Sequence, residues 1–413
     1  MPEPAGSLAG KTSGERIRHF RERAGMSRPV LAGLVGKSAE WVKAIEAGRL
    51  HPPRLPMLLR IADVLDITDL SELTGDQRLS MAHFGKARHE SLAAVGRALA
   101  DYSISRPTSE PVPAADLADR LAEAWDIWHG VKRQRTAIAV LLPALLRDAR
   151  VSARRLDGAD RRNALRSLAG IYHLAQLFLS FQPCPDLITL CGDRAMNAAL
   201  DADDPHAIAG AAWYLNHVFR DAGEEREARI EIALSAARLL SPGRSAEDLA
   251  RWGLLQLACA LSYAKTGHGG DAWRYWDEAS RAARTLGQGY HHPYLIFGPG
   301  MVDAYAVTMQ ADLMQAGSAV KQASTLDLAA MPSATRRSFH IIESARARAL
   351  RTRSNRPDPV AIVSLLQRAY DESPDTARFN LFARSYAAEA AQGPDKTTRS
   401  HAATLAAQLG VRT

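Results

Sequence analysis

The sequence predicts an all-α chain in two dissimilar parts: a small N-terminal bundle of five short helices, then a long solenoid of helical hairpins. Three observations carry this. Strand signals are almost absent, because β-branched residues are sparse and strict apolar/polar alternation is rare. Residues 15–75 show short helical patterns broken by GMS, GKS and GRLHPP. From Asp116 onward the chain is a nearly uninterrupted series of Ala/Leu/Arg-rich amphipathic helices with short breaks. A length of 413 residues exceeds what one compact core normally holds. The expected division is a disordered tail over 1–14, the bundle over 15–75, a helical and Ser/Pro-rich linker over 76–115, and the repeat region over 116–413.

Composition narrows the class. An apolar fraction of 46% is that of a globular chain, not a disordered one. Three cysteines, Cys184, Cys191 and Cys259, fit neither a disulfide framework nor a zinc pattern and point to a reducing compartment. The opening MPEPAGSLAGKTSG lacks the apolar region of a signal peptide, and the longest apolar run, Ile138 to Leu146, is too short for a bilayer. A cytoplasmic protein is expected, nucleoid-associated if it binds DNA. Of the net charge of +7, six charges fall in residues 15–60, where ten Lys/Arg face four acids. A positive footprint confined to one short segment suits nucleic acid, although a solvated basic face would look the same.

The bundle reads helix by helix. The first, GERIRHFRERAG, places Ile17, Phe20 and Ala24 on one face and ends at Gly25. The second begins at Ser27, a cap candidate with Pro29 in the first turn, and buries Leu31, Ala32 and Val35. Gly36 makes the sharp turn, Ser38 caps the third helix, Val42 and Ile45 are its buried pair, and Gly48 stops it. LPMLLRIADVL forms the fourth helix, and the fifth lies near Leu70–Leu73. Two helices joined by a tight glycine turn, inside a five-helix unit, are the helix-turn-helix arrangement.

On these residues the segment resembles the lambda-repressor-like, XRE-type DNA-binding domain. The matching features are the Gly before the second helix, the Leu-Ala pair, Gly-x-Ser before the third helix, Val42/Ile45, Glu-x-Gly, and Pro followed by Leu-x-x-Ile-Ala-x-x-Leu. The whole chain also resembles actinobacterial regulators that join such a domain to a long helical C-terminus, on FGPG (297–300) and MPSATRR (331–337). The resemblance implies that the third helix enters the major groove of double-stranded DNA. Lys37, Ser38, Ala39, Glu40 and Lys43 would then lie in or beside the groove, with Ala44 and Arg49 near it and Ser27 and Arg28 bracing the phosphates. With Val42 and Ile45 buried, Ala39, Glu40, Lys43 and Ala44 are expected to face outward. Lys43 can donate to guanine, and Ala39 or Ala44 can touch a thymine methyl. Glu40 reads either as an acceptor for cytosine N4 or as a solvated side chain at the groove edge. The resemblance also implies a structural pair, Arg21 with Glu46, that fixes the third helix against the first. Trp41 is expected to pack against the bundle rather than stack on bases.

The repeat region shows self-similarity. Aligning Gly223 on Gly267 brings Phe219 onto Tyr263, Ala228 onto Ala272 and Ile232 onto Trp276: an aromatic on one helix, a glycine turn, then a small residue on the next. This resembles the tetratricopeptide pattern loosely, at an offset of 44 residues. Further hairpins are expected at about 116–155, 160–201, 299–330, 333–371 and 376–409. Stacked hairpins make a concave surface suited to peptides, proteins or small molecules. Trp213, His217 and Arg220 are the effector-facing candidates, with an intra-scaffold cluster as the alternative. His291-His292 lack companion ligands, so a packed loop is expected there and no metal. No cofactor motif, nucleophile elbow or P-loop is present, and no enzymatic activity is expected. The resulting expectation is a homodimeric, sequence-specific transcriptional regulator, or else a protein-interaction scaffold tethered to DNA.

Overall fold

The computed structural model describes Leu8, residues 10–50, Pro52, Pro53, and residues 55–75, 86–102, 109–222, 226–350 and 358–411; side chains at 218–222 and 226 lie outside that set. Within the described residues the chain is all-α, with no strand. The N-terminal bundle comprises α1 (Ser13–Arg23), α2 (Arg28–Leu34), α3 (Ala39–Glu46), α4 (Leu55–Val64) and α5 (Ser71–Thr74). Thr12 and Glu15 form a reciprocal capping box at α1, while Ser27 and Ser38 cap α2 and α3 by accepting from the backbone N–H of Val30 and Trp41. Ile17, Phe20, Leu31, Val35, Val42, Ile45, Leu58, Ile61 and Leu73 form the core of the bundle. Gly36, at φ +66°, turns the chain sharply enough for the Lys37 N–H to donate to the Ala32 carbonyl at 2.8 Å, closing α2 just before α3 begins.

Order begins earlier than the sequence suggests. Residues 10–14 are described, α1 starts at Ser13, and Leu8 joins the bundle core. The Arg16 guanidinium holds this end down by donating to the carbonyls of Leu8 and Glu72. The remainder of the expected tail, 1–7 and residue 9, lies outside the described residues.

The segment read as a linker contains a packed helix. In α6 (Leu92–Ala100), Leu92, Val95 and Leu99 are buried in the core of the repeat region. Arg150 and Arg194 donate to the carbonyls of Ala98 and Leu99, satisfying acceptors that a helix C-terminus leaves open. These anchors lie at least fifty residues away in sequence, so local composition shows a helical stretch but not what it packs on.

Hairpins follow in order: α7 (Ala114–Gly130) with α8 (Gln134–Arg155), α9 (Gly158–Leu179) with α10 (Pro185–Asp201), α11 (Pro205–Ala222) with α12 (Arg226–Ala237), α13 (Ala246–Lys265) with α14 (Gly269–Leu286), α15 (Pro299–Asp312) with α16 (Ala316–Thr325), and α17 (Ala334–Ala349) with α18 (Pro359–Glu372). A short α19 (Pro374–Phe379) precedes the last pair, α20 (Leu381–Ala390) and α21 (Lys396–Gln408). Partners pack within each hairpin, and α7, α9, α11, α13, α15 and α17 pack on one another in sequence or through the intervening helix. The array also closes on itself. Thr335 donates to the Trp128 carbonyl at 2.9 Å, Lys132 to that of Asp371 at 2.9 Å, and Gln134 to the Thr376 hydroxyl at 2.9 Å. The first hairpin is thereby fastened to the sixth and to α19.

His292 is a loop anchor. Its Nδ1 accepts from the backbone N–H of Tyr294 and Leu295, and its Nε2 lies 3.1 Å from Glu247 Oε1. Burial pushes the Glu247 carboxyl up, but the His292 contact and the Arg251 charge outweigh it and hold the carboxyl at about 2. No cluster of three or more His, Cys, Asp or Glu suited to a metal occurs among the described residues.

Candidate nucleic-acid interface

The start of α3 carries the chemistry. Ser38 Oγ accepts the Trp41 N–H at 3.0 Å, which fixes the first turn. Glu40 and Lys43 follow, both half-exposed, with Lys43 Nζ 3.2 Å from Glu40 Oε1. An exposed i,i+3 pair contributes about 0–1 kcal/mol, so separating the two toward different bases costs little. Ala39 is half-buried beside them. Lys37 lies with its ammonium 5.9 Å from the centre of the Trp41 ring, and Trp41 packs on the bundle core. Arg49 is half-buried and its backbone N–H donates to the Ala44 carbonyl.

Ala44 corrects the outward-facing set: it is fully buried. α1 approaches the last turn of α3 closely, at the residue that follows Ala44. Gly14 sits so tightly there that a Cβ on it would fall 2.1 Å from the Ile45 carbonyl oxygen. Helical spacing from Val42 and Ile45 leaves Ala44 at the edge of the apolar face, where tertiary packing rather than periodicity decides its side.

Beneath the exposed face, Glu46 is held from two directions. Arg21 places Nε 2.5 Å from Oε1 and Nη2 3.1 Å from Oε2, while Arg28 Nε donates to Oε2 at 2.7 Å. Glu46 and Arg21 are buried, and Arg28 is partly exposed. Arg21 therefore lies where the resemblance put it. Arg28 has a structural contact that sequence reasoning missed: it joins α2 to α3 through the same carboxylate. Ser27 is exposed and occupied as the α2 cap. These bonds orient α3 before any nucleic acid arrives.

The repeat region reaches this site. Gly267, in the turn between α13 and α14, packs directly on Ser38: a Cβ added to it would lie 2.3 Å from Ser38 Cβ. Ser38 is only 6% exposed as a result of its cap bond and this cover. Leu50 packs against a second apolar cluster built from Val307, Ala311, Ala316, Ala319, Ala347 and Leu350. Sequence had marked Gly267 only as a repeat landmark.

The effector candidates separate. Trp213 is fully buried on α11 and meets His217 edge-on, ring centres 4.4 Å apart. His217 is half-buried. Arg220 lies in α11, but its side chain is outside the described residues, as is the aligned Gly223.

With this geometry in view, comparison with known families matches residues 14–73 to the helix-turn-helix domain. The N-terminal bundle is a helix-turn-helix domain. None of the curated proteins compared matches the chain. In the helix-turn-helix domain α2 and α3 are the paired helices, and Glu40 and Lys43 stand on the exposed side of the second. No described helix is long and apolar enough to cross a membrane.

Proposed function

We propose that the chain is a sequence-specific transcriptional regulator that reads a double-stranded operator as a homodimer and is controlled through its hairpin array. The observation that carries this is the α3 face: Glu40 and Lys43 exposed on a capped helix locked by Arg21, Arg28 and Glu46 within a helix-turn-helix domain. Concentration of positive charge in residues 15–60 supports it. Two apolar i,i+4 pairs, Val30/Leu34 on α2 and Leu55/Leu59 on α4, stay exposed and support a protein–protein surface on the same domain. One such head alone rarely binds tightly enough, so two heads on a pseudo-palindromic site are expected.

The test is selection of preferred DNA sites by the full chain, repeated with Lys43→Ala. The variant should lose about tenfold or more on the preferred site and relax its choice at one base pair, since a good Lys or Arg contact discriminates by about 1–3 kcal/mol. Unchanged preference would remove Lys43 from the reading set.

Control follows from the cover on Ser38. The major groove is about 12 Å wide and admits one helix. A second helical turn against the start of α3 is incompatible with that fit, so the docked arrangement is the weak-binding one and release of the domain is the switch. Gly267→Asn isolates the contact, because Asn tolerates the positive φ at this position (+84°) while its Cβ cannot share space with Ser38. DNA affinity of this variant should rise about tenfold as the competent fraction grows. Gly270→Asn, where an added Cβ meets nothing within 4 Å, is the control. Equal or weaker binding by Gly267→Asn would show that the contact does not restrain DNA binding.

A further inference from the structure

A half-open cleft of about 350 Å³ lies between α6 and α8. Two helical stripes line it: Ala94, Arg97, Ala98 and the C-cap Asp101 from α6, and Pro143, Arg147 and Arg150 from α8. Residues three and four apart share one helix face, so the cleft is built by two facing rows. It stays open because short side chains, Ala94, Ala98 and Pro143, stand among the arginines. The opposite side of α6 is fixed in the core through Leu92, Val95 and Leu99. Arg150 secures the walls to each other. Its Nε donates to the Tyr172 hydroxyl at 2.9 Å, and its Nη atoms donate to the Ala98 and Leu99 carbonyls at 2.7 and 3.3 Å. The other two arginines keep donors in reserve. Arg97 is exposed and makes no hydrogen bond or ion pair among the described residues. Arg147 is exposed and engages Asp148 through Nε, a carboxylate that Arg120 also occupies.

Charge sets the chemistry of an occupant. Three guanidiniums face one carboxylate, Asp101, which leaves an excess of two positive charges in the cleft. The surroundings have the same sign: residues 132–166 hold ten Lys/Arg against Asp148, Asp157 and Asp160. A group with two negative charges and several acceptor oxygens balances such a site, and a phosphate is that group. Guanidinium forks bind phosphate through paired N–H donors, and Arg97 and Arg147 have theirs to offer. A single carboxylate would leave one positive charge unmatched. Size argues for a small molecule, since ligand pockets run from about 300 to 1,000 Å³ and this cleft lies at the lower end.

We propose that this cleft binds the dianionic phosphate of a small molecule. Arg97 and Arg147 clamp the phosphate from the two walls, Arg150 adds charge behind them, and Ala94, Ala98 and Pro143 receive the organic part. This deepens the control of the proposed regulator, because α6 is the first described helix after the helix-turn-helix domain. It rests on that reading for biological meaning, but binding itself requires no DNA.

The experiment is calorimetric titration of the full chain, without DNA, at pH 7.5. The probes are phenyl phosphate, a dianion there, its monoanionic isostere phenyl sulfate, and inorganic phosphate. One saturable site per chain is expected, with phenyl phosphate at least about fivefold tighter than phenyl sulfate. Phenyl phosphate tighter than inorganic phosphate supports an ester as the occupant, and equal affinity supports free phosphate. Arg97→Met and Arg147→Met, both at exposed positions, should each weaken phenyl phosphate about fivefold. Asp101→Asn keeps the shape and removes the facing negative charge, so it should tighten phenyl phosphate about threefold. That gain cannot come from damaged folding. No saturable binding below about ten millimolar, equal affinity for phosphate and sulfate esters, or binding unaltered by both arginine variants would overturn the proposal. Weaker binding by Asp101→Asn would do so too, since the carboxylate would then be holding the ligand. Loss of DNA affinity in the arginine variants with phosphate binding unchanged would make the cleft a DNA-backbone contact instead. A chain that selects no DNA site yet binds phenyl phosphate as described would refute the regulator reading and leave this site standing.

Discussion

Glu46→Ala should unfold the helix-turn-helix domain and leave the hairpin array standing. The Glu46 carboxylate is 2% exposed and receives Arg21 through two nitrogens and Arg28 through one. Removing it leaves the Arg21 guanidinium buried with its charge uncompensated, a change that costs about 3–5 kcal/mol. A domain of some sixty residues has a total stability of only about 3–9 kcal/mol at typical per-residue values. The substitution thus removes a large share of it. The array has separate apolar clusters and does not depend on this pair. Hydrogen exchange of the intact chain is the measurement. Amides of α3 should exchange near the unfolded rate in Glu46→Ala, while those of α9 and α13 keep their protection. Replacing both charges, as Arg21→Met with Glu46→Leu, should restore much of the protection, because a buried ion pair exchanged for packed apolar groups is often neutral or better. Partly exposed Arg28 can turn to solvent in that variant. Protection of α3 that survives Glu46→Ala would mean that apolar packing alone holds the domain.

What sequence revealed and what it missed follow from the range of the interactions. The capped, glycine-punctuated helices of the first seventy-five residues are local devices: Ser27, Ser38 and Gly36 act on residues at most five positions away, and each is legible from its neighbours. Hairpins were legible for the same reason, since each consists of two periodic segments and a turn. Ala44 was misplaced because it sits at the edge of the apolar face, where packing by the rest of the chain, not helical period, decides its side. The helix Leu92–Ala100 was expected within a helical linker, but its packing on the array was not legible, because its anchors, Arg150 and Arg194, lie far downstream. Closure of the array depends on bonds spanning more than two hundred residues, such as Thr335 to Trp128, and no periodicity encodes them. Trp213, a groove-facing candidate by register, is buried against Tyr305 of α15, a contact more than ninety residues away that the local pattern does not carry. The cover on Ser38 is of the same kind, a contact between parts whose local patterns carry no record of each other.

Mild acid should destabilise the hairpin array well before its carboxylates titrate. His129, His173 and His340 are buried on α7, α9 and α17, and burial holds each imidazole at about 3 against an ordinary value of 6.5. The folded array keeps these rings neutral, whereas the unfolded chain takes up a proton on each as pH falls below 6.5. Stability is therefore fully present above that value and is lost progressively as pH drops toward 3. Each group contributes about 1.4 kcal/mol per pH unit once well below 6.5, so three together cost about 4 kcal/mol at pH 5.5, a large part of the stability of an ordinary domain. Glu247, held at about 2, adds its own loss only below the usual carboxylate range. Denaturant midpoints of the ligand-free chain at pH 7.5 and 5.5 measure the effect, and the lower pH should shift the array transition markedly downward. His340→Phe keeps an aromatic ring against Tyr305 and Phe339 and removes one titrating group, so the pH dependence should become measurably shallower, with the remainder left by His129 and His173 and by His89 and His292, which burial also lowers. A midpoint that does not move between the two pH values would show that the interior admits enough water to protonate these rings in place. That same water would satisfy the ring nitrogens of His173 and His340 that find no protein partner, so acid stability would locate water at those two side chains.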